Sequence, residues 1–306
     1  MPEAPLRVAV APDTAPDWVR DAVRDGGAEL VSPPDAEAVV WFDARDPRAI
    51  VPVLAEATHA RWVHLPWAGI EPYVDLLDDV HVWTCGKGVY AEPVAEHAML
   101  LALAGLRALP QRIVARSWEA QGGLSLYDRP VTIVGGGGIT EELLHHLAVY
   151  RCEVTVVRRQ DAPLAGAARV VTVDRLHEAL PGAQVVFLAL ALTPATTGII
   201  GAAELALMDP SAWLVNVARG GHIVTDDLVD ALRRGVIAGA ALDVTDPEPL
   251  PDGHPLWDLP NCIITPHTAN TVAMAQPAIT ARIRANVRRF AAGDPLLGTV
   301  DVAMGY

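Results

Sequence analysis

Between Val131 and Thr140 an apolar, β-branched run, Val131-Thr132-Ile133-Val134, passes without a spacer into Gly135-Gly136-Gly137-Gly138, then Ile139-Thr140 and a helical pattern. A strand that turns abruptly into a helix needs glycine at the turn, and the amides at a helix start attract anions. The order Gly-x-Gly-x-x-Gly after a strand marks a dinucleotide-binding unit. Gly135 permits the turn, Gly137 lets the backbone approach a pyrophosphate, and Gly138 and Ile139 open the helix. The third position of the fingerprint is Thr140 rather than glycine, which leaves it incomplete.

The rest of the chain suits such a unit. Short β-type runs at Val8 to Val10, Ala38 to Phe42, Trp62 to Leu65 and Val80 to Thr84 alternate with helical stretches such as Asp17 to Arg24. A second series follows at Val131 to Val134, Val154 to Val157, Val170 to Val173, Val185 to Leu188, Trp213 to Val217, Ala240 to Asp243 and Cys262 to Thr265. Strands alternating with helices imply parallel sheets and an α/β fold. The length of 306 residues suits two domains at about 150 residues each. Between the series, a segment rich in Ala and Leu runs from Val94 through His97, Leu101, Leu106 and Ile113 toward Trp118, and Pro110 should break or kink it. It reads either as a crossing helix that also supplies a dimer surface or as a buried core helix. A last helix spans about Ala278 to Ala292 and could return to the first domain.

Charge limits the partners. With 23 basic and 37 acidic residues the net charge is −14, so neither nucleic acid nor an anionic membrane surface is an expected partner. No apolar run approaches the roughly 20 residues of a membrane span. The start, MPEAPLRVAV, has neither the basic head nor the apolar stretch of an export signal, and a cytoplasmic protein is expected. Cys85, Cys152 and Cys262 are too scattered for a disulfide framework. His145-His146 and Glu96-His97 lack metal-ligand spacing, and no metal is expected.

Any phosphate must therefore be held locally. The strand after the glycine loop ends at Val157, about twenty residues on, where an Asp or Glu would receive the ribose hydroxyls of NAD. Arg158 and Arg159 stand there instead. Guanidinium groups suit a 2′-phosphate, so NADP(H) is favoured and NAD(H) remains an alternative. Lys87 is the only lysine, so arginine is this chain's default cation, but the missing carboxylate is independent of that bias.

Ligands of open α/β sheets bind beyond the carboxyl ends of the strands. Three polar residues follow three strand ends: Arg219 after Val215-Asn216-Val217-Ala218, Glu248 within Asp246-Pro247-Glu248-Pro249-Leu250, and His267 in Thr265-Pro266-His267. With Ala241-Leu242-Asp243-Val244, with Gly220-Gly221 and with Val94-Ala95-Glu96-His97, these blocks stand in the motif order of the D-isomer-specific 2-hydroxyacid dehydrogenases. The chain resembles that family over nearly its whole length, and Asp243-Val244-Thr245 with Pro247 to Pro251 resembles its glyoxylate/hydroxypyruvate reductases.

The resemblance implies a doubly wound Rossmann cofactor domain, expected at 98–278, inserted into a smaller flavodoxin-like substrate domain, expected at 1–97 plus 279–306, and a homodimer. It implies His267 as general acid, Glu248 as its partner and Arg219 as the ligand of the substrate carboxylate. Asp243 would orient the nicotinamide amide, and Leu190 and Val217 would lie beside the cofactor. Trp67, Ala68, Gly69 and Ile70 resemble the loop whose amides receive the substrate carboxylate. The substrate class implied is a small 2-oxo or 2-hydroxy acid. Tyr90 stands where members of the family often carry Asn, and Ala191 where Pro is common. A nucleotide-sensing binding protein on the same fold is the competing reading; an intact Arg219, Glu248 and His267 favours the enzyme.

Overall fold

The computed structural model describes residues 4–43, 46–118 and 122–305. Residues 1–3, part of the stretch read above for an export signal, lie outside the described residues. The chain divides into two compact units, residues 1–90 with 271–306 and residues 91–270. The first boundary thus falls before the helix that starts at Ala91 rather than within it, and the second falls just before the last helix.

The first unit carries β1 (Arg7–Ala11), α1 (Asp17–Asp25), β2 (Glu29–Leu30), β3 (Ala38–Trp41), α2 (Ile50–Glu56), β4 (Trp62–His64) and β5 (Val82–Thr84). The strands form one sheet in the order β2-β1-β3-β4-β5, and every pairing is parallel. Trp41, Trp62 and Trp83, on three successive strands, are fully buried. Each indole N–H still finds an acceptor: Asp43 O and Tyr73 Oη for Trp41, Thr84 Oγ1 for Trp62, and Asp78 Oδ1 for Trp83. A buried indole left unpaired would cost stability, so these bonds let large rings fill the core.

The second unit begins with α3 (Ala91–Leu106) and α4 (Leu109–Val114). It continues through β6 (Pro130–Val134), α5 (Gly138–Val149), β7 (Glu153–Arg158), β8 (Arg169–Thr172), α6 (Leu176–Ala179), β9 (Val185–Leu188), α7 (Ala202–Leu207), β10 (Trp213–Asn216), α8 (Thr225–Arg234), β11 (Gly239–Leu242) and β12 (Cys262–Ile264). Its seven strands lie in the order β12-β11-β10-β9-β6-β7-β8, all parallel. The chain leaves β6 toward one edge and returns at β9 to build the other, so the switch point lies between β6 and β9. That is where a doubly wound sheet binds ligands.

Two expectations shift. The Ala- and Leu-rich segment does break, but at Arg107-Ala108, where Ala108 has φ 49°, just before Pro110, which sits in the first turn of α4. Proline lacks an N–H that this turn would leave unpaired anyway. Of the two readings, α3 is largely a core helix, with Val94, Ala98, Met99 and Leu101 buried, and Gly105 lies so close to the Trp213 ring that a Cβ would collide with it. The last helix, α9 (Val272–Ala292), starts before the expected Ala278 and contains Pro277. Thr271 caps it by accepting the Met274 N–H, a Ser/Thr start signal that the downstream proline obscures.

Candidate active site

The glycine loop occupies the switch point. Gly135 has φ 139°, and a Cβ there would collide with the Ala189 carbonyl at the end of β9, so conformation and space both demand glycine. Gly137 is the residue before α5, and a Cβ on it would meet nothing within 4 Å. The loop is therefore pressed into the sheet at its first glycine and open at its third, which fits a phosphate-bearing ligand approaching the α5 amides. Gly138 and Ile139 form the first turn of that helix. Thr140 is buried, and its hydroxyl has no partner among the described residues.

Arg158 ends β7 with its stem across Gly136, and its guanidinium donates to Gln160 O at 3.0 Å and Ala162 O at 2.7 Å. Arg159 is exposed. The two arginines thus differ in burial: the first is half-buried and the second exposed. Leu190 follows β9, and its carbonyl oxygen lies 3.2 Å from the Nε2 of buried His222, whose Nδ1 lies 3.0 Å from Thr196 O. Val217 follows β10 and is buried.

Arg219, Glu248 and His267 follow β10, β11 and β12, three adjacent parallel strands, and so share one sheet edge. Their loops interlock. Gly220 leaves no room for a side chain, since a Cβ would collide with the Thr245 carbonyl, and the Thr225 hydroxyl donates to Asp246 O at 2.7 Å. Glu248 Oε1 lies 2.7 Å from His267 Nδ1. A carboxylate only accepts, so Nδ1 carries the proton of that bond and Nε2 is left as the nitrogen that can present a second one. Both side chains are about half exposed, at 42% and 52%. Arg219 donates to Ala218 O at 2.7 Å.

Two buried polar residues at the strand ends hold this arrangement. Asn216 donates from Nδ2 to Arg219 O at 2.8 Å and accepts the Ala218 N–H at 3.0 Å, clamping the turn that carries Arg219. Asp243 does the same for the turn of His267: Oδ1 accepts from the Thr265 hydroxyl at 2.6 Å and from Thr268 N–H at 2.9 Å, and Oδ2 from Ala269 N–H at 3.1 Å. Burial raises the Asp243 pKa, but hydrogen bonds from His97, Thr265, Thr268 and Ala269 outweigh it and hold the group below the ordinary carboxylate value. Oδ2, with one backbone donor, keeps capacity for another, which fits an incoming amide. Asn216, Thr265 and His97 were quoted in the motifs above without a role. Their signal is the placement of polar residues at strand ends that otherwise read as apolar.

In the first unit, Trp67, Ala68, Gly69 and Ile70 form the loop after β4. Tyr90 donates to Pro66 O at 3.1 Å, and Gly86 N–H to Trp67 O at 3.1 Å. The Trp67 ring lies 5.6 Å from that of Phe42 and 6.1 Å from that of Tyr90. Gly86 makes room for Tyr90, whose ring a Cβ would meet at 2.8 Å.

A profile of the D-isomer specific 2-hydroxyacid dehydrogenase, NAD binding domain, matches residues 97–269. A Corynebacterium melassecola protein, described as an uncharacterized protein in the proB 3′ region, is 39% identical over 292 residues, covering 93% of this chain and 95% of that one. Glyoxylate/hydroxypyruvate reductase A of Serratia proteamaculans is 36% identical over 176 residues, which are 58% of this chain and 56% of that protein. Among solved structures, the D-isomer specific 2-hydroxyacid dehydrogenase of Xanthobacter autotrophicus Py2, in complex with NADPH and MES, superposes with a TM-score of 0.85 at 26% identity, covering 99% of this chain and 100% of that one. The sheet orders, the glycine loop at the switch point and these matches agree: the chain belongs to the D-isomer specific 2-hydroxyacid dehydrogenase family of NAD(P)-dependent oxidoreductases.

Proposed function

We propose that the protein reduces a small 2-oxo acid such as glyoxylate or hydroxypyruvate to the D-2-hydroxy acid, with NADP(H) as its preferred cofactor. The observation that carries this reading is the 2.7 Å bond between Glu248 and His267 Nδ1, which leaves Nε2 to act as the acid. A bound nicotinamide cofactor supplies the hydride. His267 gives the Nε2 proton to the carbonyl oxygen of the substrate and regains one from solvent, while Glu248 fixes the ring through Nδ1. Arg219 binds the substrate carboxylate through its planar fork. In the first unit, the amides of Trp67 to Ile70 serve substrate binding, with Gly69 allowing close approach.

For the cofactor, Gly135, Gly137, Gly138 and Ile139 would hold the pyrophosphate, Leu190 and Val217 would lie beside the nicotinamide, and Asp243 would receive the carboxamide. Arg158 and Arg159 would take the 2′-phosphate. The NADPH named in the Xanthobacter complex supports this preference. A homodimer built on the second unit is supported by exposed apolar side chains at Leu100, Leu109, Ile113, Val114 and Trp118. Among the described residues no helix is long and apolar enough to cross a membrane.

Absorbance-monitored oxidation of NADPH and NADH against glyoxylate, hydroxypyruvate, pyruvate and bulkier 2-oxo acids tests the reading. Turnover with the small acids and a lower KM for NADPH is expected. Cofactor binding without turnover on any acid would defeat it, and a clear preference for NADH would defeat the cofactor assignment.

A further inference from the structure

His267 has φ 53°, a left-handed conformation that a residue with a Cβ keeps only when its surroundings over-determine it. Its own N–H donates to Asp243 O at 2.8 Å. Around it, Thr265, Thr268 and Ala269 all donate to the Asp243 carboxylate. This cluster extends to α3, because His97 Nε2 lies 3.0 Å from the Thr265 hydroxyl oxygen and 3.4 Å from Asp243 Oδ1.

Proton bookkeeping fixes the direction of the chain. The Thr265 hydroxyl has one hydrogen, and the 2.6 Å contact to an acceptor-only carboxylate consumes it. Thr265 Oγ1 must then accept from His97, so Nε2 of His97 carries a proton whether the ring is neutral or charged. Asp243 remains ionised because its hydrogen bonds outweigh the cost of burial. No other side chain is within hydrogen-bonding distance of Thr265 Oγ1 among the described residues.

We propose that His97 is a positioning residue for His267: its Nε2–H sets the hydrogen-bond chain from His97 through Thr265 to Asp243 that holds the 265–269 turn in the conformation presenting the His267 ring. The link to catalysis rests on the reading of His267 as the acid, whereas the link to the turn does not. Leucine at position 97 would leave the Thr265 hydroxyl without its donor and free to rotate away from Asp243. Glutamine would restore an N–H at comparable reach.

The test compares wild type, His97→Leu, His97→Gln and Thr265→Val. Amide hydrogen exchange at His267, Thr268 and Ala269 should accelerate in His97→Leu by on the order of tenfold, the loss of about one hydrogen bond. The β6 and β9 amides should keep their rates, and His97→Gln should return the turn toward wild type. With NADPH and a 2-oxo acid, the solvent isotope effect on kcat should rise in His97→Leu as kcat falls, since a misaligned acid slows proton transfer. A protein that was merely less folded would lose amplitude without changing the isotope effect. In the Thr265→Val background, His97→Leu should add less than it costs alone, because the two act on the same turn and only the longer 3.4 Å contact of His97 with Asp243 remains. Unchanged exchange in His97→Leu, equal acceleration in His97→Gln, or additive losses would overturn the proposal. So would an unchanged isotope effect in a protein whose His267→Ala variant is inactive. Turnover surviving His267→Ala would instead defeat the assignment of the acid, leaving the exchange result to decide the link to the turn.

Discussion

The two parallel sheets end in loops built by different means. In the second unit, buried polar side chains at the strand ends, Asn216 and Asp243, bind the backbone of the turns that carry Arg219 and His267. In the first unit the loop after β4 is held by its carbonyls, at Pro66 from Tyr90 and at Trp67 from Gly86, and lined by aromatic rings. At the end of β4, buried His64 bonds Thr84 through Nδ1, and its Nε2 has no partner among the described residues. A network with its donors and acceptors matched sets atoms to within the tolerance that proton transfer requires, while an aromatic wall sets shape. Residues of the second unit should therefore act mainly on kcat, and those of the first on KM.

The largest expected departure comes from His267→Ala, which should lower kcat by about 10²- to 10⁴-fold, the usual worth of a positioned acid, with NADPH affinity unchanged. Fluorescence titration beside steady-state kinetics checks this, and a matching loss of cofactor affinity would blur the contrast.

The next effect lies in the first unit. Burial, with a smaller contribution from the Arg282 charge, lowers the His64 pKa from 6.5 to about 3. The unfolded chain therefore takes up a proton below about pH 6.5 that the folded protein refuses, and stability should fall by about 1.4 kcal/mol per pH unit until His64 itself titrates. Urea unfolding of wild type and His64→Gln across that window should show the difference following this slope; parallel curves would mean His64 is not the group responsible.

Asp243 has the same acid-side sign for a different reason. Its lowered pKa contributes stability that is complete above the unfolded value of about 3.9 and is lost as pH falls through the native value. Asp243→Asn should cost about 1–3 kcal/mol at neutral pH, with the gap closing in acid, as chemical denaturation at several pH values will show. A gap that persists at the acid end would point to packing rather than charge. The smallest effect is Trp67→Phe, expected to shift KM among 2-oxo acids of different bulk by about tenfold or less with kcat nearly constant. A large fall in kcat would break the division between the units.

Much of this was legible in the sequence because local patterns carried it. Runs such as Val185 to Leu188, short, β-branched and set off by Pro181-Gly182, read as buried strands, and four glycines between strand and helix have few other uses. What local pattern lacks is distance: His97 and Thr265 are 168 residues apart, and the bond joining them follows from α3 packing on the sheet. The two-residue strand Glu29–Leu30 is too short to show a period. The break at Ala108 places alanine in a left-handed conformation that favours glycine, so no residue type announces it.

Reduction of hydroxypyruvate with NADPH, followed by analysis of the product's configuration, bears most directly on the claim that this edge of the second unit is a reductase site. Consumption of NADPH in step with formation of the D-hydroxy acid is the expected result. An L product, or no product from protein that binds NADPH, would contradict it.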